Sequence, residues 1–258
     1  MTRKVALWVL AIFITILLLF AAYRLIKNPV YLKNKELTTF DKRNIELMKN
    51  HRDKCFGIDI SQYQGEIHWE SVEKINHLYP INFVVVRASM GKDGADKKFT
   101  SNWKKAKQKN LIRGAYHYYR PDEESELQAL NFIAKVSLSP GDLPPVLDIE
   151  EYPTIQTKEN LIKGLKNWLK IIEEYYDVKP IIYSYDKYYE HILNEHFSDY
   201  PLWIANYNFD VTQPKEKWLF WQFSENGSVK GIKGTVDLNI FNGNVFDLQN
   251  LTTKKMVY

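Results

Sequence analysis

The sequence predicts an α/β fold: a (β/α)8-like barrel with eight strands and a reduced number of helices, preceded by an N-terminal transmembrane helix. Three observations carry this reading. From Phe56 onward, short apolar and β-branched runs alternate with longer amphipathic stretches, which implies parallel strands joined by right-handed helical crossovers. Eight such runs fit into about 200 residues, fewer than a full barrel with eight helices usually takes. Ahead of them, residues 5–23 hold 19 residues without a charge, long enough to cross a bilayer as a helix. An open doubly wound sheet fits the same alternation. No G-x-G-x-x-G follows the first strand, so no dinucleotide site is expected.

The elements follow in order. Residues 56–60 (FGIDI) read as a strand and 69–77 as a helix. Residues 81–89 (INFVVVRAS) form a continuous β-branched run, the mark of a buried strand. A helix over 100–109 leads to a strand over 111–119, and a helix over 123–136 to a strand over 144–150, entered through a proline pair. Lys158–Tyr176 is a long helix followed by the strand 179–185, and 188–196 a helix followed by the strand 201–207. Residues 218–224 and 236–241 are the last two strands, separated by a glycine-punctuated stretch.

Composition narrows the function classes. The chain has 258 residues, 45% hydrophobic and 26% charged, as expected of a globular protein. Cys55 is the only cysteine, which rules out an intramolecular disulfide and a multi-cysteine zinc site. The net charge of +4 is uneven: residues 1–54 carry 11 Lys and Arg against 4 Asp and Glu, and the rest carries 24 against 27. An acidic body argues against nucleic acid as a partner, and the lysines of 97–109 read as the solvated face of a helix.

In a barrel, functional groups gather at the C-terminal ends of the strands. Those ends carry Asp59, Tyr116 to Tyr118, Asp148 and Glu150, Tyr183 and Tyr185, Trp203 to Tyr207, Trp221 and Gln222, and Asp237. Asp148 and Glu150 stand two apart on a strand, so both point to one face, roughly 6–7 Å apart along the backbone. Like charges held together raise each other's pKa, which keeps one carboxyl protonated while its neighbour ionises. Glycoside hydrolysis needs that division of labour. A salt-bridged structural pair fits the same spacing. Four carboxylates also fit a metal-dependent hydrolase, but no HxxxH or HExxH is present and no metal is expected. Taken singly, each aromatic fits a core position; together, around acids, they suit a groove that stacks on sugars. His117 alternates away from its neighbours and reads as packed.

At this point the body resembles the muramidases of glycoside hydrolase family 25. GIDISQYQGEIHWESV resembles that family's opening motif, and FVVVRASMG, GAYHYYRP, PPVLDIE, PIIYSY, LWIANY, FWQFS and VDLNIFNG follow in the family's order over residues 55–249. The resemblance implies a lysozyme that cleaves the β-1,4 bond between N-acetylmuramic acid and N-acetylglucosamine without a cofactor. It implies Glu150 as general acid, Asp148 as a stabilising or substrate-orienting carboxylate, and Asp59 and Asp237 as the other two acids. Tyr118, Tyr183, Tyr185, Trp203, Tyr207, Trp221 and Gln222 are the expected substrate-binding residues. A catalytically inactive glycan-binding protein on the same fold, or a metal-dependent hydrolase, is the alternative.

The expected organisation is a cytoplasmic tip and signal anchor over 1–27, a linker or stalk over 28–54, and the catalytic barrel over 55–258. Residues 36–50 have room for a short helix. The expected partners are peptidoglycan strands and, through residues 5–23, a membrane. The chain is expected to be a monomer at the bacterial cell membrane, with its catalytic domain on the cell-wall side.

Overall fold

The computed structural model describes residues 37–215 and 217–257. The expected anchor and the first part of the expected linker lie outside these residues. Among the described residues, no helix is long and apolar enough to cross a membrane.

Eight strands close into a barrel: β1 (Cys55–Ile60), β2 (Phe83–Met90), β3 (Ile112–Tyr118), β4 (Val146–Asp148), β5 (Ile181–Tyr185), β6 (Leu202–Ala205), β7 (Phe220–Gly227) and β8 (Val236–Phe241). Strands β1 to β7 are parallel, each paired with the next. The expected parallel pairing fails at β8, which runs antiparallel to both β7 and β1. The cause is chain length. A parallel crossover needs a dozen or more residues, and only the short stretch 228–235 separates the two strands. The reversal brings the N-terminal end of β8 to the rim formed by the C-terminal ends of the others.

Alternation along the strands makes two cores. Inward-facing Cys55, Phe83, Val85, Val146, Ile181, Phe220 and Phe241 pack inside the barrel, with Leu248 of the helix Val245–Leu251. Gly57 lies on this inner face because Phe83 fills the space beside it: a Cβ there would come within 2.4 Å of that ring. Outward-facing Ile58, Val84, Val86, Leu147, Ile182, Ile204 and Ile240 pack against the surrounding helices.

The helices are α1 (Thr39–Asn50), α2 (Phe99–Gln108), α3 (Ser125–Ile133) and α4 (Lys158–Tyr176), with Val245–Leu251 as α5. The amphipathic α4 buries Leu161, Leu165, Trp168, Leu169 and Ile172; Thr157 caps its start and Asp177, in the left-handed region, ends it. A helical run between β5 and β6 contains the π-helical turn Tyr189–Leu193.

Two further expectations are corrected. The helix expected over 69–77 is a 3-10 turn, Trp69–Ser71, followed by a short hairpin of Lys74–Ile75 and Tyr79–Pro80. Asn76 and His77 have φ of 47° and 61°, which no right-handed helix accommodates. Helix α1, placed by the sequence within the linker, docks on the barrel: Leu47 and Met48 join the outer core, and Asn44 Nδ2 donates to the Asn226 carbonyl at 3.2 Å.

Candidate active site

Strand alternation aims a set of polar side chains into one mouth of the barrel. They line a cleft of about 730 Å³, partly open to solvent, with Asp59, Asp148, Glu150 and Asp237 in its wall. Tyr118, Tyr183, Tyr185, Trp203, Tyr207 and Gln222 line it too. Asp237 reaches this rim by a route the sequence reading did not anticipate: it sits at the start of the antiparallel β8, not at a strand's C-terminal end.

Trp221 is the one expected groove residue that the fold takes elsewhere. It is fully buried on the outer face of the barrel, edge-on to Trp218, tilted against Phe223, with its indole N–H donating to the Asn206 carbonyl at 3.0 Å. Adjacent residues on a strand face opposite sides, so Gln222 inside requires Trp221 outside. His117 also faces outward, as expected. Its ring stacks on Trp168 and bonds Ser89 at 2.8 Å and Gln128 at 3.2 Å, and burial lowers its pKa to about 4.

Asp59 is buried and held on two sides. Its Oδ2 accepts from Gln222 Nε2 and from Asn239 Nδ2, both at 2.7 Å. Each amide is itself fixed. Trp203 Nε1 donates to Asn239 Oδ1 at 2.9 Å. Gln222 Oε1 accepts from the hydroxyls of Tyr183, at 2.7 Å, and Tyr207. These bonds decide which end of each amide is donor. Burial lifts the Asp59 pKa to about 6 against the pull of these donors, and Asp237 adds a third hydrogen bond. Asp237 is pushed up to about 9 by burial and by the adjacent Asp59 charge.

Asp148 and Glu150 are hydrogen-bonded to each other. Burial, then the charges of Glu150 and Asp59, hold Asp148 well above the usual carboxylate range. Burial also raises Glu150, opposed by its contact with Asp148. Asp148 Oδ1 is buried without a hydrogen-bond partner among the described residues. Glu150 lies just beyond β4 and is less deeply buried than Asp148.

Sequence reasoning did not select Arg87, Asn239 or Tyr63. Arg87 was recoverable as the single charge in a continuous apolar run. In the structure it pairs with Asp96 at 3.1 Å and lies against the ring of exposed Tyr63, 4.8 Å from its centre. Asn239 stands two residues from Asp237 on one strand, and its role depends on partners from β1 and β6 that no local pattern reveals. Among the described residues, no group of three or more His, Cys, Asp or Glu side chains is arranged to hold a metal ion.

Residues 58–232 match the family model described as glycosyl hydrolases family 25. The chain is 40% identical over 197 residues to YegX of Escherichia coli K12, covering 75% of this chain and 71% of that protein. It is 31% identical to lysozyme M1 of Streptomyces globisporus, covering 72% and 67%. Among solved structures it is similar to a family 25 glycosyl hydrolase from Bacillus anthracis, with TM-score 0.69 and 28% identity over 78% of this chain and 95% of that one. A bacterial lysozyme from Streptomyces coelicolor gives TM-score 0.69 and 29% identity, covering 77% and 96%. The family match begins after α1 and ends before Asp237 and Asn239.

Proposed function

Because the chain belongs to glycosyl hydrolases family 25 and is therefore a glycoside hydrolase, we propose that it is a membrane-anchored muramidase that cleaves the β-1,4 bond between N-acetylmuramic acid and N-acetylglucosamine in peptidoglycan. The observation that carries this reading is the Asp148–Glu150 pair. Buried Asp148 at the end of β4 and half-buried Glu150 just beyond it interact in the wall of a cleft lined with tyrosines and Trp203. The lysozymes among its relatives support the choice of glycan.

Two carboxylates in contact do not both ionise readily, so the pair retains one proton. In the free protein we assign that proton to Asp148, the more deeply buried of the two. A 2-acetamido N–H of the bound sugar would satisfy the unpartnered Asp148 Oδ1 and favour its anion. The proton then passes along the existing hydrogen bond to Glu150. Glu150 is the general acid: it donates the proton to the glycosidic oxygen as the C1–O bond breaks and the leaving sugar departs as an alcohol. Asp148, now ionised, faces the positive charge developing at C1 or orients the acetamido group. Attack on C1, by water directly or after the acetamido oxygen, restores the proton to the pair. Asp59 and Asp237 set the field beneath, and Tyr118, Tyr185 and Tyr207 flank the sugars.

Residues 5–23 supply the anchor, and the barrel acts on the cell-wall side of a bacterial membrane. The test is digestion of purified peptidoglycan by the full-length chain in mild detergent, with EDTA present and Glu150→Gln alongside. Reducing-end muramic acid, identified by mass spectrometry from wild type only, is the expected result. Cleavage abolished by EDTA would mean a metal-dependent hydrolase. Wall binding without cleavage would mean a glycan-binding protein. A C-terminal reporter active only in the cytoplasm would remove the cell-wall-side placement.

A further inference from the structure

Helix α1 precedes the segment matched by the family, yet one of its side chains reaches the backbone behind the site. Arg43 is 9% exposed. Its Nη1 donates to the Phe223 carbonyl at 2.8 Å and its Nη2 to the Asn208 carbonyl at 2.7 Å. These are neighbours in sequence of two site residues. Asn208 follows Tyr207, and Phe223 follows Gln222. Tyr207 and Gln222 are joined by the hydroxyl-to-amide hydrogen bond that helps orient the Gln222 amide toward Asp59.

Phe223 also marks an irregularity. Gln222 pairs with Asn239 and Ser224 with Leu238, so Phe223 is the extra residue of a bulge in β7. Bulges beside active sites re-aim side chains at the cost of ladder hydrogen bonds. Arg43 supplies a donor where the bulge disturbs the ladder. The guanidinium is further held against Phe209, 5.1 Å from the ring centre, and Phe40 packs edge-on against the same ring. A planar fork that bonds two carbonyls at once is a property of arginine that lysine lacks.

We infer that Arg43, from outside the segment matched by the family, is a positioning residue: it fixes the spacing between the β6 end and the β7 bulge so that Tyr207 and Gln222 hold Asp59. This rests on the proposed muramidase reading only for its activity readout. It acts through backbone and does not touch substrate.

The test compares Arg43→Met, Arg43→Lys and Asn44→Ala in the full-length chain. Asn44 ties the same helix to the same strand, through the Asn226 carbonyl, with no link to Tyr207 or Gln222. Three quantities are read: melting temperature, kcat and KM on soluble peptidoglycan fragments, and the Asp59 titration by carbon-13 NMR. Asp237, Asp148, Glu150 and Arg87 also surround Asp59, and all remain in these variants. Arg43→Met should lower kcat about tenfold with KM little changed, which corresponds to about 1.4 kcal/mol in the barrier. It should also raise the Asp59 midpoint, because a displaced Gln222 stabilises the anion less. Arg43→Lys, with one bond in place of two, should fall between. Asn44→Ala should lower the melting temperature and leave both other readouts unchanged.

A loss of melting temperature alone in the Arg43 variants, with kcat and the Asp59 midpoint at wild-type values, would overturn the inference. Equal changes in Asn44→Ala would overturn it as well, by assigning the effect to helix docking in general. If Arg43→Met does not fold, Arg43→Lys decides between these outcomes. Absence of turnover in the wild type would sink the muramidase reading instead, and the NMR titration would still judge Arg43.

Discussion

Asp59 and Asp237 face one another as register partners on the antiparallel strands β1 and β8, and they share a hydrogen bond. Their ionisations are pushed apart, Asp59 to about 6 and Asp237 to about 9. Over the interval between, the couple is one anion and one acid. The reversal of β8 creates this pairing, since a parallel last strand would run its register the other way.

The first prediction concerns rate against pH. Below about 6, Asp59 is protonated and its two amide donors lose their anionic acceptor. We expect kcat/KM on soluble glycan fragments to climb through about pH 6 and then level. Asp237→Asn keeps a donor beside Asp59 and should preserve that acid limb. An acid limb centred near pH 4 would contradict the assignment.

The second concerns stability. The Asp237 pKa is raised on folding from 3.8 to about 9. Its favourable contribution is full below 3.8 and is lost as pH rises toward 9. Asp237→Asn should therefore be more stable than wild type at pH 8, by the ~0.5–2 kcal/mol that a single stabilising substitution commonly yields. The gain should vanish at pH 3.5. Calorimetry at both values checks it.

A third prediction separates the two carboxyls of β4. Glu150→Gln should reduce turnover by about 10²–10⁴-fold while glycan binding persists. Asp148→Asn retains a donor to Glu150 but cannot become an anion, so it should also lose turnover despite folding normally. Single-turnover kinetics with a binding assay would distinguish this from an Asp148 that serves only to pack.

His117 provides a contrast outside the cleft. Its pKa falls from 6.5 to about 4 on folding, so it contributes stability that is complete above 6.5 and declines as pH drops toward 4. The stability gap between wild type and His117→Gln should narrow over that range, and turnover at pH 7 should survive the change. Urea melts at three pH values are sufficient to read it. An unchanged gap would place a proton on His117 in the folded state.

Much of this was legible in the sequence because a barrel turns period-two alternation into geometry. Asp59, Asp148, Glu150, Tyr183 and Trp203 all reach the cleft by that rule. Trp221 and Gln222 show its limit: adjacent residues must face opposite ways, and only the register with Asn239 decides which faces in. The helix expected over 69–77 failed because two consecutive left-handed residues, Asn76 and His77, leave no periodic signature. Arg43 was hidden for a different reason. Its partners are backbone carbonyls 165 and 180 positions away, and backbone carbonyls have no residue type to recognise.

The docking of α1 also sets a leash. With the barrel unit beginning at Thr39, the sequence between the proposed anchor and that unit is residues 24–38 rather than 24–54. At ~3.3–3.6 Å per residue, fifteen residues reach roughly 50 Å, about half of what the longer stretch would allow. If the proposed anchor holds, that upper bound confines the enzyme to the layer of wall nearest its own membrane, and strands farther out would escape it whatever their chemistry.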